Sequence, residues 1–163
     1  MNIIGVNCFH ADSSAALLSD GKILCATEEE RFKRIKHWAG FPLESINFCL
    51  NFSKKSITDI DFICIGRDPK AKFFRKIFYS FSKIKSAKNM LFQRFLNRND
   101  LKSVRALIED RFGFCPPIKY IEHHRSHLAS AFYSSPFNES TIISIDGSGD
   151  FSTIMIGKGK NNK

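Results

Sequence analysis

The residues best suited to chemistry are His123, His127 and Asp146. The first two stand four apart in His123-His124-Arg125-Ser126-His127-Leu128-Ala129-Ser130-Ala131-Phe132, a stretch of helix-compatible composition. Residues four apart on a helix share one face, so the two imidazoles could grip one metal ion. The third ends a β-branched run, 141–145, that reads as a buried strand. Strand ends in α/β folds face the ligand crevice, which makes Asp146 a candidate third ligand. Histidines that only cap and pack a helix start are the plainer alternative. The strand-end carboxylate favours the metal. Gly147, Ser148 and Gly149 follow it, and small residues there would let backbone amides approach an anion.

These groups must be held by regular elements. Residues 2–7, 15–18 and 23–27 read as three strands, with Asp20-Gly21 as a hairpin turn and His10, Asp12 and Ser13 in the turn before it. Pro42 opens an amphipathic helix that runs to about Phe52, and Asp61–Gly66 is a short apolar strand. From Pro69 to Phe112 the pattern becomes helical. Phe73, Phe74, Ile77, Phe78 and Phe81 recur at helical steps, as do Leu91, Phe92, Phe95 and Leu96, and then Leu101, Val104, Leu107 and Ile108. A strand at 118–121, the histidine helix, the strand at 141–145 and a strand at 152–156 complete the pass. The plan of apolar strand, polar turn, apolar strand and Gly-Lys occurs twice, at Ile3–Lys22 and at Ile142–Lys158. Lys158-Gly159-Lys160-Asn161-Asn162-Lys163 reads as a fraying tail, and the chain as truncated.

Composition narrows the class. The 163 residues are 43% hydrophobic and 25% charged, ordinary for one globular domain with a core. No stretch has the length of a membrane span, and the N-terminus lacks signal-peptide architecture. Five scattered cysteines without a Cys-x-x-Cys pair read as small buried hydrophobes of a reducing compartment, which points to a cytoplasmic protein. The net charge of +9 comes from one segment: Arg67–Arg111 holds 13 Lys/Arg against 4 Asp/Glu.

At three places the chain resembles a known family, the carbamoyltransferases related to nodulation protein NodU, which include antibiotic O-carbamoyltransferases. The first is Gly5-Val6-Asn7-Cys8-Phe9-His10-Ala11-Asp12-Ser13-Ser14-Ala15-Ala16-Leu17. The second is Glu28-Glu29-Glu30-Arg31-Phe32-Lys33-Arg34-Ile35-Lys36-His37 with Gly40-Phe41-Pro42. The third is the histidine segment with Asp146-Gly147-Ser148-Gly149. The resemblance implies an α/β fold: the first half of an actin-like (ribonuclease-H-type) domain, residues 1–145, with a basic helical insertion at about 67–113. Residues 146–163 would begin the second half, and a C-terminal domain similar to the YrdC proteins would be absent. The repeated hairpin is what a duplicated fold of that kind would show.

The resemblance also implies an activity. Carbamoyl phosphate and ATP would give a carbamoyl-adenylate, whose carbamoyl group passes to a hydroxyl of a small molecule, sugar or antibiotic. His123, His127 and Asp146 match the family's metal positions, for iron or zinc, and Gly147, Ser148 and Gly149 match its anion-binding turn. His10 and Asp12 fall where the family places groups needed for transfer. A neutral histidine can take the acceptor's proton and a carboxylate can orient it. Ala11 separates the two here, where some relatives read His-Asp directly. Lys36, and more weakly Arg31, match a motif whose ammonium could neutralise an anionic donor oxygen. The isolated chain would need its missing half, or a partner chain, to complete the reaction.

Two alternatives are open at this point. An actin-like phosphotransferase would share the hairpins without needing the histidine pair. A non-catalytic metal- or anion-binding fragment would rely on the basic segment. That segment reads first as a helical subdomain with phenylalanines inward; contact with a membrane surface or with nucleic acid stays open, although its aromatics follow helix-face spacing and not an exposed stacking platform.

Overall fold

The computed structural model describes residues 1–71, 104–150 and 152–161. The expected phenylalanine stripe from Phe73 to Phe81, the repeat from Leu91 to Leu96, and Leu101 lie outside the described residues, as does the central part of the basic insertion, 72–103. Two units are distinguished: Met1–Ile65 with Lys88–Lys119, and Gly66–Ala87 with Tyr120–Lys163, each through its described residues. No helix of the described residues is long and apolar enough to cross a membrane.

The first unit is built on a five-stranded sheet of order β3-β2-β1-β4-β5. Its strands are β1 (Asn2–Asn7), β2 (Ser14–Ser19), β3 (Lys22–Glu28), β4 (Phe62–Ile65) and β5 (Ile118–Tyr120). Alternation places Ile4, Val6, Ala15 and Leu17 in the core, which is the side-chain period of two that the sequence predicts. β1 pairs antiparallel with β2 from Asn2↔Ser19 to Asn7↔Ser14, and parallel with β4 from Ile3↔Phe62 to Val6↔Ile65. Gly21, at φ 79°, closes the β2–β3 hairpin in a conformation most residues avoid. Helix α1 (Glu30–Lys33) is a single turn. Helix α2 (Leu43–Ser53) buries Ser45, Ile46, Cys49 and Leu50 and ends at Lys54 in the left-handed conformation. A 3₁₀ turn, Ile57–Asp59, carries a capping box between Ser56 and Asp59. Helix α3, described over 104–112, buries Val104 and Ile108 fully, as their spacing of four predicts.

Glu29 is the unexpected member of this core. Its side chain is fully buried, and its carboxylate accepts from the amides of Glu44 at 3.2 Å and Ser45 at 2.7 Å and from the Ser45 hydroxyl at 2.8 Å. It thus caps the start of α2 from outside the helix, filling the role a residue at the Pro42 position cannot. The acidic run Glu28-Glu29-Glu30 thus contains one carboxylate used internally.

The second unit packs helix α4 (His123–Tyr133) on a hairpin of β6 (Glu139–Gly149) and β7 (Ser152–Lys160). The pairing runs from Glu139↔Lys160 to Ile145↔Ile154, shifts, and resumes at Gly149↔Ser152. The expected fraying tail is corrected here: Lys158, Gly159 and Lys160 are strand, and both lysines meet Glu139, at 2.6 and 3.3 Å. The pattern Gly157-Lys158-Gly159-Lys160 alternates small inward with charged outward, which composition alone hides. A side chain at Gly157 would collide with Leu128, and one at Gly159 with the Phe132 ring, so these glycines let the helix lie close. The hairpin's other face carries the cross-strand pairs Ile143↔Ile156 and Ile145↔Ile154, and these four side chains are 56–76% exposed.

Candidate metal centre and the first turn

Helix α4 begins at an anchored point. Glu122 is its N-cap and accepts from the Arg125 amide at 2.8 Å, while Asp150 accepts from the His123 amide at 3.0 Å and the Asp68 amide at 2.8 Å. His124, on the inward face, is fully buried. Its Nε2–H donates to the Ser152 carbonyl at 3.0 Å, so its Nδ1 accepts from the Ser144 hydroxyl at 2.8 Å. That ring pins the helix to both strands. Sequence reading passed over it because its neighbours His123 and His127 share the other face.

His123 and His127 do share a face, and β6 brings Asp146 to them. His123 Nε2 lies 2.7 Å from Asp146 Oδ2 and 3.1 Å from His127 Nε2, and His127 Nε2 lies 3.6 Å from the same carboxylate oxygen. All three donor atoms fall within 4.8 Å of one another. The hydrogen bond from His123, aided by the Gly147 amide, holds the Asp146 carboxyl below its ordinary pKa. His123 Nε2 has either one hydrogen or one lone pair, so it can make only one of its two short contacts as a neutral donor. Ligands about 2.0–2.1 Å from one ion stand roughly 3–3.4 Å apart. The three separations here bracket that range, so two imidazole nitrogens and a carboxylate could close on a first-row divalent ion with shifts of a few tenths of an ångström. Gly149 is part of the fit, since any side chain there would occupy the position of the His123 ring.

The expected anion turn is arranged more modestly. Gly147 is exposed and its amide donates to the Asp146 carboxylate at 2.6 Å, while Ser148 and Gly149 belong to the end of β6.

In the first unit, the turn between β1 and β2 is braced by residues 38–40. The amides of Phe9 and Ser13 donate to the carbonyls of Gly40 and Trp38, both at 3.1 Å, and the buried Ser13 hydroxyl donates to Gly40 at 2.8 Å. His10 and Asp12 are both exposed here. His10 Nδ1 lies 3.2 Å from the Ala11 carbonyl, whereas Asp12 meets a different imidazole: His37 Nδ1 is 2.8 Å from Asp12 Oδ1. Lys36, its neighbour, is exposed, as is Arg31. The sequence signal for His37 is its place in the Lys36-His37 pair, whereas His10 is the imidazole nearest Asp12 along the chain. Asp12 has left-handed backbone, with φ 65°.

Comparison with known proteins gives this arrangement its context. The chain is 35% identical over 99% of its length to the Synechocystis sp. protein sll1178, and 34% identical over 94% of its length to nodulation protein NolNO of Sinorhizobium fredii. It spans 28% and 22% of those proteins, about a quarter of the curated relatives it matches. Among solved structures it is similar to YeaZ from Pseudomonas aeruginosa, with a TM-score of 0.43 and 15% identity over 90% of this chain and 55% of that one. The family described as Carbamoyltransferase N-terminus matches residues 2–163, and the chain belongs to it.

Proposed function

We propose that the protein containing this chain transfers a carbamoyl group from carbamoyl phosphate, activated with ATP as a carbamoyl-adenylate, to a hydroxyl of a small molecule, sugar or antibiotic. The observation that carries the reading is the convergence of His123, His127 and Asp146 in a chain of the carbamoyltransferase N-terminal family. In this reading the fold is half of an actin-like domain, and the compartment is the cytoplasm. The three residues would hold iron or zinc, with any further ligand coming from outside the chain. Such an ion would supply Lewis acidity toward a phosphate or carbamoyl oxygen. The chain's own residues do the rest: Asp150 and Glu122 fix the start of α4, and His124 fixes its rotation about the hairpin. Gly149 leaves room for His123.

The test has two parts. The chain should bind one equivalent of zinc or ferrous iron, lost in the His123→Ala/His127→Ala double variant with unchanged circular dichroism. At free metal 100-fold above Kd, binding should add about 2.7 kcal/mol to unfolding. A protein extended to the length of its relatives should form a carbamate ester from carbamoyl phosphate, ATP and a hydroxyl acceptor. Failure across sugars, aminoglycosides and other polyols, with metal bound, would sink the reading.

A further inference from the structure

We propose that His37, oriented by Asp12, is the group that takes the proton from the acceptor hydroxyl. This rests on the carbamoyl-transfer reading and names a residue and a pairing within it. Three observations from the first unit carry the proposal. His37 Nδ1 lies 2.8 Å from Asp12 Oδ1; a carboxylate can only accept, so Nδ1 carries the hydrogen and a neutral ring presents the Nε2 lone pair. Both partners are exposed, which leaves that nitrogen open to a solute. Finally, Phe9, Asp12 and His37 all adopt left-handed backbone, with φ 60°, 65° and 53°. Non-glycine residues rarely do so, and three in one small region require the surroundings to enforce it. The enforcing bonds are present: Asn7 Nδ2 to the Asp12 carbonyl at 2.9 Å, the His37 amide to Glu30 at 3.0 Å, and the Phe9 and Ser13 amides to residues 40 and 38. The strained backbone and its ties bring this imidazole and this carboxylate together from 25 residues apart.

The step balances without further reagents. As the acceptor oxygen bonds to the carbamoyl carbon, its proton moves to His37 Nε2. The bond from that carbon to the donor's phosphate oxygen breaks, and its electron pair leaves with the phosphate. The imidazolium formed is stabilised by Asp12, first through the hydrogen bond and then through charge, with Glu30 and Glu28 adding to it. These same groups raise the His37 pKa above the ordinary histidine value in the resting protein.

The experiment compares wild type, His37→Gln and Asp12→Asn in the extended protein by pH–rate profile, with an imidazole NMR titration of the 163-residue chain beside it. His37→Gln should lower kcat by about 10²-fold or more with little change in acceptor KM. Asp12→Asn should lower kcat and move the acid limb to lower pH, because the base loses the partner that raises its pKa. In the NMR titration the His37 midpoint should fall in Asp12→Asn. A His37→Gln enzyme with wild-type kcat and acid limb overturns the proposal and leaves carbamoyl transfer standing. An unmoved His37 midpoint in Asp12→Asn overturns the pairing. No transfer by the wild type overturns both readings.

Discussion

The two hairpins share a sequence plan and differ in what surrounds them. The first, β1–β2, lies inside a sheet: β3 flanks one side and β4 the other, and Ile4, Val6, Ala15 and Leu17 are buried. The second, β6–β7, forms a two-stranded sheet with α4 on one face and four half- to three-quarters-exposed isoleucines on the other. The same pattern of apolar strand residues therefore has different energetic weight in the two places. In the first hairpin, hydrophobic burial holds the fold. In the second, the polar pins of His124, the ion pairs of Glu139 and the seating of α4 on two glycines hold it.

The sharpest break of this comparison comes from truncating one apolar residue in each hairpin. Leu17→Ala should cost about 2–5 kcal/mol in urea unfolding. Ile145→Ala should change stability by less than about 0.5 kcal/mol, and an equal loss at both sites would end the contrast. Next in size is Gly159→Val, expected to cost roughly 1–3 kcal/mol by forcing Phe132 out of its seat. The same substitution at Gly147, where a Cβ meets nothing within 4 Å, should cost much less. His124→Phe should follow, at about 1–3 kcal/mol, because it leaves the Ser152 carbonyl and Ser144 hydroxyl unpaired.

The smallest effect belongs to the exposed capping box. The Ser56 amide and hydroxyl hold the Asp59 carboxyl below its ordinary pKa. A carboxylate depressed in the folded state contributes stability above its unfolded pKa of about 3.9, and that contribution is lost as pH falls through the folded value. Thermal midpoints of wild type and Asp59→Asn should therefore differ at neutral pH and converge in acid. A gap that persisted in acid would assign the stabilisation to something other than the ionised cap.

Most elements were legible because alternation and helical spacing report burial directly. Strands 2–7, 15–18 and 23–27, the helix after Pro42 and the histidine helix all appear within a residue or two of expectation. The pairing of His123 with His127 was legible for the same reason, since a helix face is a local feature; Asp146 joins them from inside β6, where the register shifts between Ile145 and Gly149, and not from the strand end that its sequence suggests. His37 meeting Asp12 was not, because it depends on residues 38–40 folding back on the first turn. Glu29 and its neighbours Glu28 and Glu30 look alike in sequence; only the arrival of α2 distinguishes the buried one. The misread tail had its own cause, since glycine and lysine are poor strand formers unless glycine seats a helix and lysine meets a cross-strand acid.

Glu29 also bears on the order in which the chain assembles. Its amide donates to the Ser13 carbonyl, 16 residues back, and its carboxylate takes the Ser45 amide, 16 residues ahead. Loops of that size close in well under a microsecond, whereas pairing β1 with β4 joins Ile3 to Phe62 and must close a far longer one. The first turn, the acidic motif and the start of α2 can thus lock into a nucleus before the sheet is complete. An acidic residue in a charged run would then set the speed of folding as well as its endpoint.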